Sequence, residues 1–236
     1  MQFKDSGKLK AITFSYDDGM TQDVRFIELL NKYDLKATFH LNSDKLGLNL
    51  IQTLPNSRRV ARYRIHADDI RSIYEGHELA SHTLTHPLLP SLDDAEVIRQ
   101  VEQDRLRLSE LAGYEVVGLA YPCSEPNHDD RVVELIRANT GIQYARTGTK
   151  TDSFDLQPDL LRFDPNLHHI RSKKRQEEIT HRFIEMETDK PQILCVYGHS
   201  YEMDFEEDAW ARLEDLFAYL ANREDIFYGT MKEVLL

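Results

Sequence analysis

The feature that most constrains this chain is a rhythm. Short apolar runs rich in β-forming residues alternate with longer segments of helical period along all 236 residues. Alternation of this kind builds βαβ units, parallel strands joined by helices that pack on the sheet. Strands are predicted at residues 11–16, 36–41, 78–81, 116–120, 144–146, 161–163, 193–197 and 226–228. Helices are predicted at 21–33, where Val24, Ile27 and Leu30 share a face, and at 67–75, 92–111, 129–139, 172–187 and 207–220. No Pro/Gly/Ser-rich linker divides the series. The expected architecture is therefore α/β, one distorted (β/α) barrel of seven or eight parallel strands forming a single domain over residues 1–236.

A chain this long buries about 70% of the surface its unfolded form exposes, so it needs no disulfide or structural metal to fold. Cys123 and Cys195 are too few for a disulfide framework and read as small buried hydrophobes. The net charge of −12 argues against a sequence-independent nucleic-acid binder or a protein of anionic membranes, which need a basic face. No apolar stretch approaches the ~18 residues of a membrane span, and the N-terminal residues lack the apolar core of a signal peptide, so a cytoplasmic protein is expected. One irregular insertion, residues 46–66, carries Arg58, Arg59, Arg62 and Arg64. It reads either as a solvated loop or edge hairpin, or as a positive rim above the barrel mouth that meets an acidic or polar substrate.

In parallel β/α architectures the chemistry sits at the C-terminal ends of the strands, so polar residues just past each apolar run are the informative ones. The first strand delivers Asp17 and Asp18 there. Two adjacent carboxylates leaving a buried strand repel each other and call for a cation or a shared proton, unless they serve as a helix cap and acidic first turn. The third strand runs into Ser81-His82-Thr83-Leu84-Thr85-His86-Pro87, with imidazoles at i and i+4. On a helical turn that spacing puts both rings on one face, which suits chelation of one ion; an isolated pair of this kind is otherwise ordinary surface. Two histidines and one carboxylate make an open site, with positions left for water and substrate. The seventh run ends at Gly198-His199-Ser200, a third histidine at the same rim.

This ordered set resembles the polysaccharide deacetylases of the NodB-homology type, carbohydrate esterase family 4. The family's Thr-Phe-Asp-Asp-Gly is similar to Ser15-Tyr16-Asp17-Asp18-Gly19, and its His-Ser/Thr-x-x-His corresponds to the stretch from Ser81 to His86. The resemblance implies that Asp17 is the general base and that Asp18, His82 and His86 bind one divalent metal ion. The family's Arg-x-Pro-Tyr element falls on Ala120-Tyr121-Pro122-Cys123. It implies that the Cys123 amide helps hold the oxyanion and that Tyr121 and Pro122 line the substrate. The family arginine that orients the base is absent here; Ala120 stands near its place, and Arg162 is the expected substitute. The family's Asp-x-x-Trp element is matched loosely by Asp159 to Phe163, with Asp164 as a further candidate partner for the catalytic histidine. Its Leu-x-His element resembles Val196-Tyr197-Gly198-His199 and implies His199 as general acid. The pair His168-His169 has no family counterpart and reads as structural or as a substrate or metal contact, with His168 the candidate.

The chemistry expected from these parts is hydrolysis: activated water attacks an acyl carbonyl, the oxyanion is held, and His199 protonates a departing amine. Zinc is the default ion for imidazole and carboxylate ligands, with cobalt, nickel or iron also fitting. The expected substrate is an N-acetylated amino sugar or oligosaccharide. The alternatives are a small non-sugar amide and a sugar-binding relative without catalysis.

Overall fold

The computed structural model describes residues 2–170 and 172–236. Strand β1 (Lys10–Asp17) is buried over its whole length and forms the centre of the fold. Because successive side chains of a strand point to opposite faces, its sequence splits in two. Ile12, Phe14 and Tyr16 pack outward in one apolar cluster with Phe26, Leu30 and Phe217. Ala11 joins a separate cluster with Tyr144, Phe163 and Cys195, and Ser15 and Asp17 on that same inner face both bond Arg146.

The chain then runs through α1 (Asp23–Lys32), β2 (Ala37–Leu41), the hairpin β3 (Asn49–Thr53) and β4 (Arg59–Tyr63), α2 (Ile70–Ile73), β5 (Glu78–Ser81), α3 (Asp94–Ala112) and β6 (Gly118–Ala120). It continues with α4 (Asp130–Asn139), β7 (Tyr144–Arg146), β8 (Leu167–His168), α5 (Lys173–Glu185), β9 (Gln192–Gly198), α6 (Ala209–Leu220), β10 (Ile226–Tyr228) and α7 (Met231–Leu235). The main sheet has eight strands in the order β7-β6-β5-β2-β1-β9-β8, with β10 on β1, and all its pairings are parallel. Followed around from β1, the strands succeed one another in chain order and return to β1 through β9. That is the path of a barrel, curled and incompletely closed between β7 and β8, where Arg146 makes one parallel bridge to Phe163. The expected α/β barrel is thus the observed fold.

Two elements differ from expectation, and a third takes a form expected of it. Residues 161–163 do not form a strand: Asp159 caps a 3-10 turn, Leu160–Arg162, by accepting from the Leu161 amide, and Phe163 alone reaches the sheet. The strand of that unit is the two-residue β8. Helix 67–75 shrinks to a 3-10 turn and the four residues of α2. Insertion 46–66 is an antiparallel hairpin. Its base is stitched to the end of β1 by Thr21 N–H to Tyr63 C=O (2.7 Å) and Ile65 N–H to Gly19 C=O (2.9 Å), which sets Arg62 and Arg64 over the barrel mouth. Among the described residues no helix is long and apolar enough to cross a membrane.

Candidate active site

The C-terminal end of β1 supplies both aspartates. Asp18 and Gly19 have positive φ (85° and 63°), and a Cβ on Gly19 would stand 2.8 Å from Leu41 Cγ. The tight turn therefore needs glycine after the acidic pair. Asp17 receives the Arg146 Nη2 on both oxygens at 2.5 Å. Arg146, from the end of β7, is fixed in turn by Nε–H to Ser15 Oγ (2.8 Å) and Nη1–H to Thr147 C=O (3.0 Å). Ser15 passes the contact on to His40 Nε2 at 2.8 Å. Burial alone would raise the Asp17 carboxyl, but Arg146, with His82 and His199, holds it well below the usual carboxylate range.

Asp18 faces two other arginines. Arg62 Nη2 lies 3.0 Å from its Oδ2, and Arg64 Nη2 lies 3.1 Å from its Oδ1. Burial raises its carboxyl, while His199, Arg64 and His82 bring it down to about 2. Despite the nearby guanidinium, Oδ1 is a buried oxygen with no hydrogen bond.

His82 follows β5 directly. Its amide donates to Leu41 C=O (2.8 Å) and to Asp104 Oδ2 (3.2 Å), and its Nδ1–H donates to Ala120 C=O at 2.8 Å. That bond fixes the tautomer and leaves Nε2 as a lone pair. The loop carrying both histidines is not helical. Thr83 and His86 take positive φ (66° and 63°), Asn42 Nδ2 holds the His82 and Thr83 carbonyls, and the two rings meet edge-on at 4.8 Å. The i, i+4 spacing is thus realised by a strained loop rather than a helix face. Burial lowers both imidazoles, His86 to about 4, so both are neutral near pH 7.

The donor atoms of Asp18, His82 and His86 lie within 4.8 Å of one another. A carboxylate oxygen with no hydrogen bond and two neutral imidazoles, one with its tautomer set by a backbone carbonyl, make a donor set that fits a divalent ion. Arg62 and Arg64 oppose it, since two guanidiniums reduce the charge this carboxylate can offer a cation.

His199 directly follows β9, with its Nε2 4.0 Å from Asp17 Oδ2 and its Nδ1 3.4 Å from Glu202 Oε2. Burial works against its charge, but Glu202 outweighs it, and Asp18 and Asp17 add to the effect, so His199 is raised to about 9 and is cationic at neutral pH. Glu202 also accepts from His169 Nε2 at 2.9 Å and lies 3.4 Å from His168 Nε2. His169 Nδ1 accepts from the Tyr16 hydroxyl at 2.7 Å. His168, His169 and Glu202 form a second group close enough to hold a cation; unlike the first, its carboxylate is already spent on imidazole partners.

Several other expected residues lie elsewhere. Arg162 does not replace the missing arginine: it pairs with Asp130 (2.7 Å) and Asp159 (3.3 Å) at the surface, because the segment carrying it is a turn and not a strand aimed at the mouth. The arginine on Asp17 is Arg146. Asp164 accepts from Thr147 Oγ1 and does not reach His199; the acid beside His199 is Glu202. Tyr121 is buried, donating to Leu161 C=O at 2.9 Å and stacked on His128 at 4.9 Å, so its ring supports the turn instead of lining the mouth. Pro122 follows it at the start of a turn, and Cys123, with φ 71°, is exposed, its Sγ 3.8 Å from His86 Nδ1.

The profile described as polysaccharide deacetylase matches residues 4–145. No curated protein matches the sequence. Among solved structures, a probable polysaccharide deacetylase from Pseudomonas aeruginosa PAO1 superposes with a TM-score of 0.72 at 12% identity, covering 97% of this chain and 90% of that one. The peptidoglycan deacetylase PdaC from Bacillus subtilis gives 0.56 at 18% identity, covering 97% and 91%. A polysaccharide deacetylase from Bacillus cereus gives 0.51 at 21% identity over 64% of this chain, which spans 45% of that chain's length. At these identities the likeness is one of fold.

Proposed function

Because the chain belongs to the polysaccharide deacetylase family, we propose that it is a metal-dependent hydrolase that removes the N-acetyl group from an N-acetylated amino sugar or oligosaccharide. The observation that carries this reading is the convergence of Asp18, His82 and His86 beside an ionised Asp17 and a protonated His199.

Asp18, His82 and His86 would hold the divalent ion, zinc first by donor type, then cobalt, nickel or iron, which would supply Lewis acidity at this site. Asp17 is the base that accepts the water's proton, held in place by Arg146. Its carboxylate stays ionised at neutral pH and is therefore always ready to accept, though weakly basic. His199, cationic at neutral pH, donates its Nε2 proton to the leaving nitrogen. The Cys123 amide is the donor assigned to the oxyanion, a contribution typically worth ~3 kcal/mol. Cytoplasmic residence belongs to the same proposal and is checked by cell fractionation.

The test is metal content after purification together with acetate release from N-acetylglucosamine oligomers. His82→Ala should purify with far less metal and no activity. Asp17→Asn should keep the metal and lose turnover, whereas Asp18→Asn should lose the metal as well. Equal metal in wild type and His82→Ala would remove the ligand set.

A further inference from the structure

The barrel mouth holds more positive charge than the proposed chemistry uses. Of its carboxylates, Asp17 is taken by Arg146 and Glu202 by His169 and His199. Asp23 bonds Ser200 and Tyr74 and is raised to about 7 by burial, so it contributes only part of a charge. Asp44 is paired with Arg107. Asp18 alone is left facing Arg62 and Arg64.

Lys45 is carried on the turn beside them: its amide donates to the Asn42 carbonyl at 3.0 Å, and Asn42 Oδ1 accepts from Arg64. Burial lowers its ammonium from the ordinary value, Arg64 and Arg62 repel it, and Asp18 draws it the other way. Among the described residues no carboxylate comes within ion-pair distance of Lys45. Two arginines on one carboxylate, with a lysine on the adjoining turn, stand out in a chain whose net charge is −12. Like charges gathered in a cleft favour the entry of an anion.

The cations are placed rather than loose. Arg62 lies over the Tyr201 ring at 4.2 Å, and Arg64 is tied to Asn42 Oδ1 at 3.0 Å and to the Asp18 carbonyl. Arg62 has a buried Nε–H with no acceptor. Its side chain is 24% exposed against 10% for Arg64, so Arg62 is the one an incoming group can meet.

We propose that Arg62, with Lys45 beside it, recognises a carboxylate on the substrate, so that the favoured amides are N-acetyl sugars bearing an acidic group near the acylated nitrogen. A planar carboxylate matches the guanidinium fork, two N–H donors to two oxygens. Because Arg62 also touches Asp18, the recognised group lies close to the bond that is cut. The inference rests on the deacetylase reading for that cleavage, but not for the recognition itself.

Two matched pairs test it. One is N-acetylglucosamine with a 3-O-carboxyethyl ether and the methyl ester of that acid; the other is N-acetylglucosaminuronic acid and its methyl ester. Acetate release gives kcat and KM, and calorimetry on the Asp17→Asn protein gives Kd without turnover. At least one acid should be preferred to its ester by about ten-fold or more, through KM and Kd, with the ratio shrinking as salt is raised. Arg62→Gln and Lys45→Gln should each move that ratio toward one, and Arg62→Lys should keep part of it. A Kd ratio near one in both pairs overturns the inference, as does a ratio untouched by both Gln variants. Acid preference in binding with no acetate released from any of the compounds keeps the recognition and removes the deacetylase reading instead.

Discussion

Glu202 is a single buried carboxylate set among His168, His169 and His199, and its position decides the charge of the last. Burial raises its own carboxyl, but the hydrogen bond from His169 and the contact with His199 pull it far below the usual range. In return it keeps His199 protonated up to about pH 9. Glu202→Gln removes that support, so the His199 proton is lost at lower pH. If His199 is the acid, the alkaline limb of the kcat profile should move toward neutrality, with activity lost at pH 8 well before pH 6. An unmoved limb would mean that another group donates the proton. At this scale the sequence is legible where a rule ties a residue to the end of a strand. Asp17, Asp18, His82 and His199 all follow apolar runs, and Arg146 obeys the same rule as the last residue of β7. It is passed over for Arg162 because Leu161-Arg162-Phe163 imitates a strand and the capping by Asp159 that makes it a turn leaves little trace in composition. Glu202 does lie three residues past His199, a capping-box spacing. What the spacing cannot convey is that its oxygen also meets His168 and His169 from another strand.

Elements place these groups by allowing close approach at chosen points. Gly198, the last residue of β9, has no side chain because the His169 ring fills the space: a Cβ there would stand 2.4 Å from Cδ2 and Nε2 of that ring. Gly118 in β6 faces the Tyr144 hydroxyl, at 2.1 Å from an added Cβ, and that hydroxyl donates to Glu78 at 2.8 Å. Neither glycine has a positive φ; both are required for room, not for backbone freedom. Gly198→Ala should displace His169 from Glu202 and cost about 1–3 kcal/mol, as overpacking typically does, lowering Tm. The accompanying expectation is a lower His199 pKa, readable by NMR titration. A normal Tm with an unchanged titration would show that the ring moves freely and the close approach is not a constraint. The β/α rhythm makes the long elements legible because burial and period agree over many residues. β8, only two residues long, falls below what periodicity can register, and for the arginine-dense insertion the sequence offers both an edge hairpin and a rim over the mouth without showing that it is both.

Across the whole molecule, one ion pair spans the barrel interior. Asp17 ends β1 and Arg146 ends β7, strands separated in the sheet by β2, β5 and β6, and the bond between their side chains braces the mouth from within. Arg146 is 2% exposed, the largest of the fully buried side chains. Removing one partner of such a pair leaves an uncompensated buried charge and typically costs about 3–5 kcal/mol, whereas replacing both can be close to neutral. Arg146→Met should therefore destabilise the protein strongly at pH 7, and Asp17→Asn in the same chain should recover much of the loss. The pH dependence follows from the sign of the shift. In the native protein Asp17 lies below its unfolded value, so its contribution is present above about pH 4 and is lost as pH falls further. Without Arg146, burial dominates and lifts the carboxyl above that value; the variant then loses stability as pH rises from 4 to 7. His199, 4.0 Å away, offsets part of this but lacks the two-oxygen contact. The stability difference between wild type and Arg146→Met, measured by urea unfolding, should accordingly be smaller at pH 4 than at pH 7. A difference that stays constant between the two pH values would mean that Arg146 stabilises the barrel by packing against Tyr197 rather than by holding the Asp17 charge.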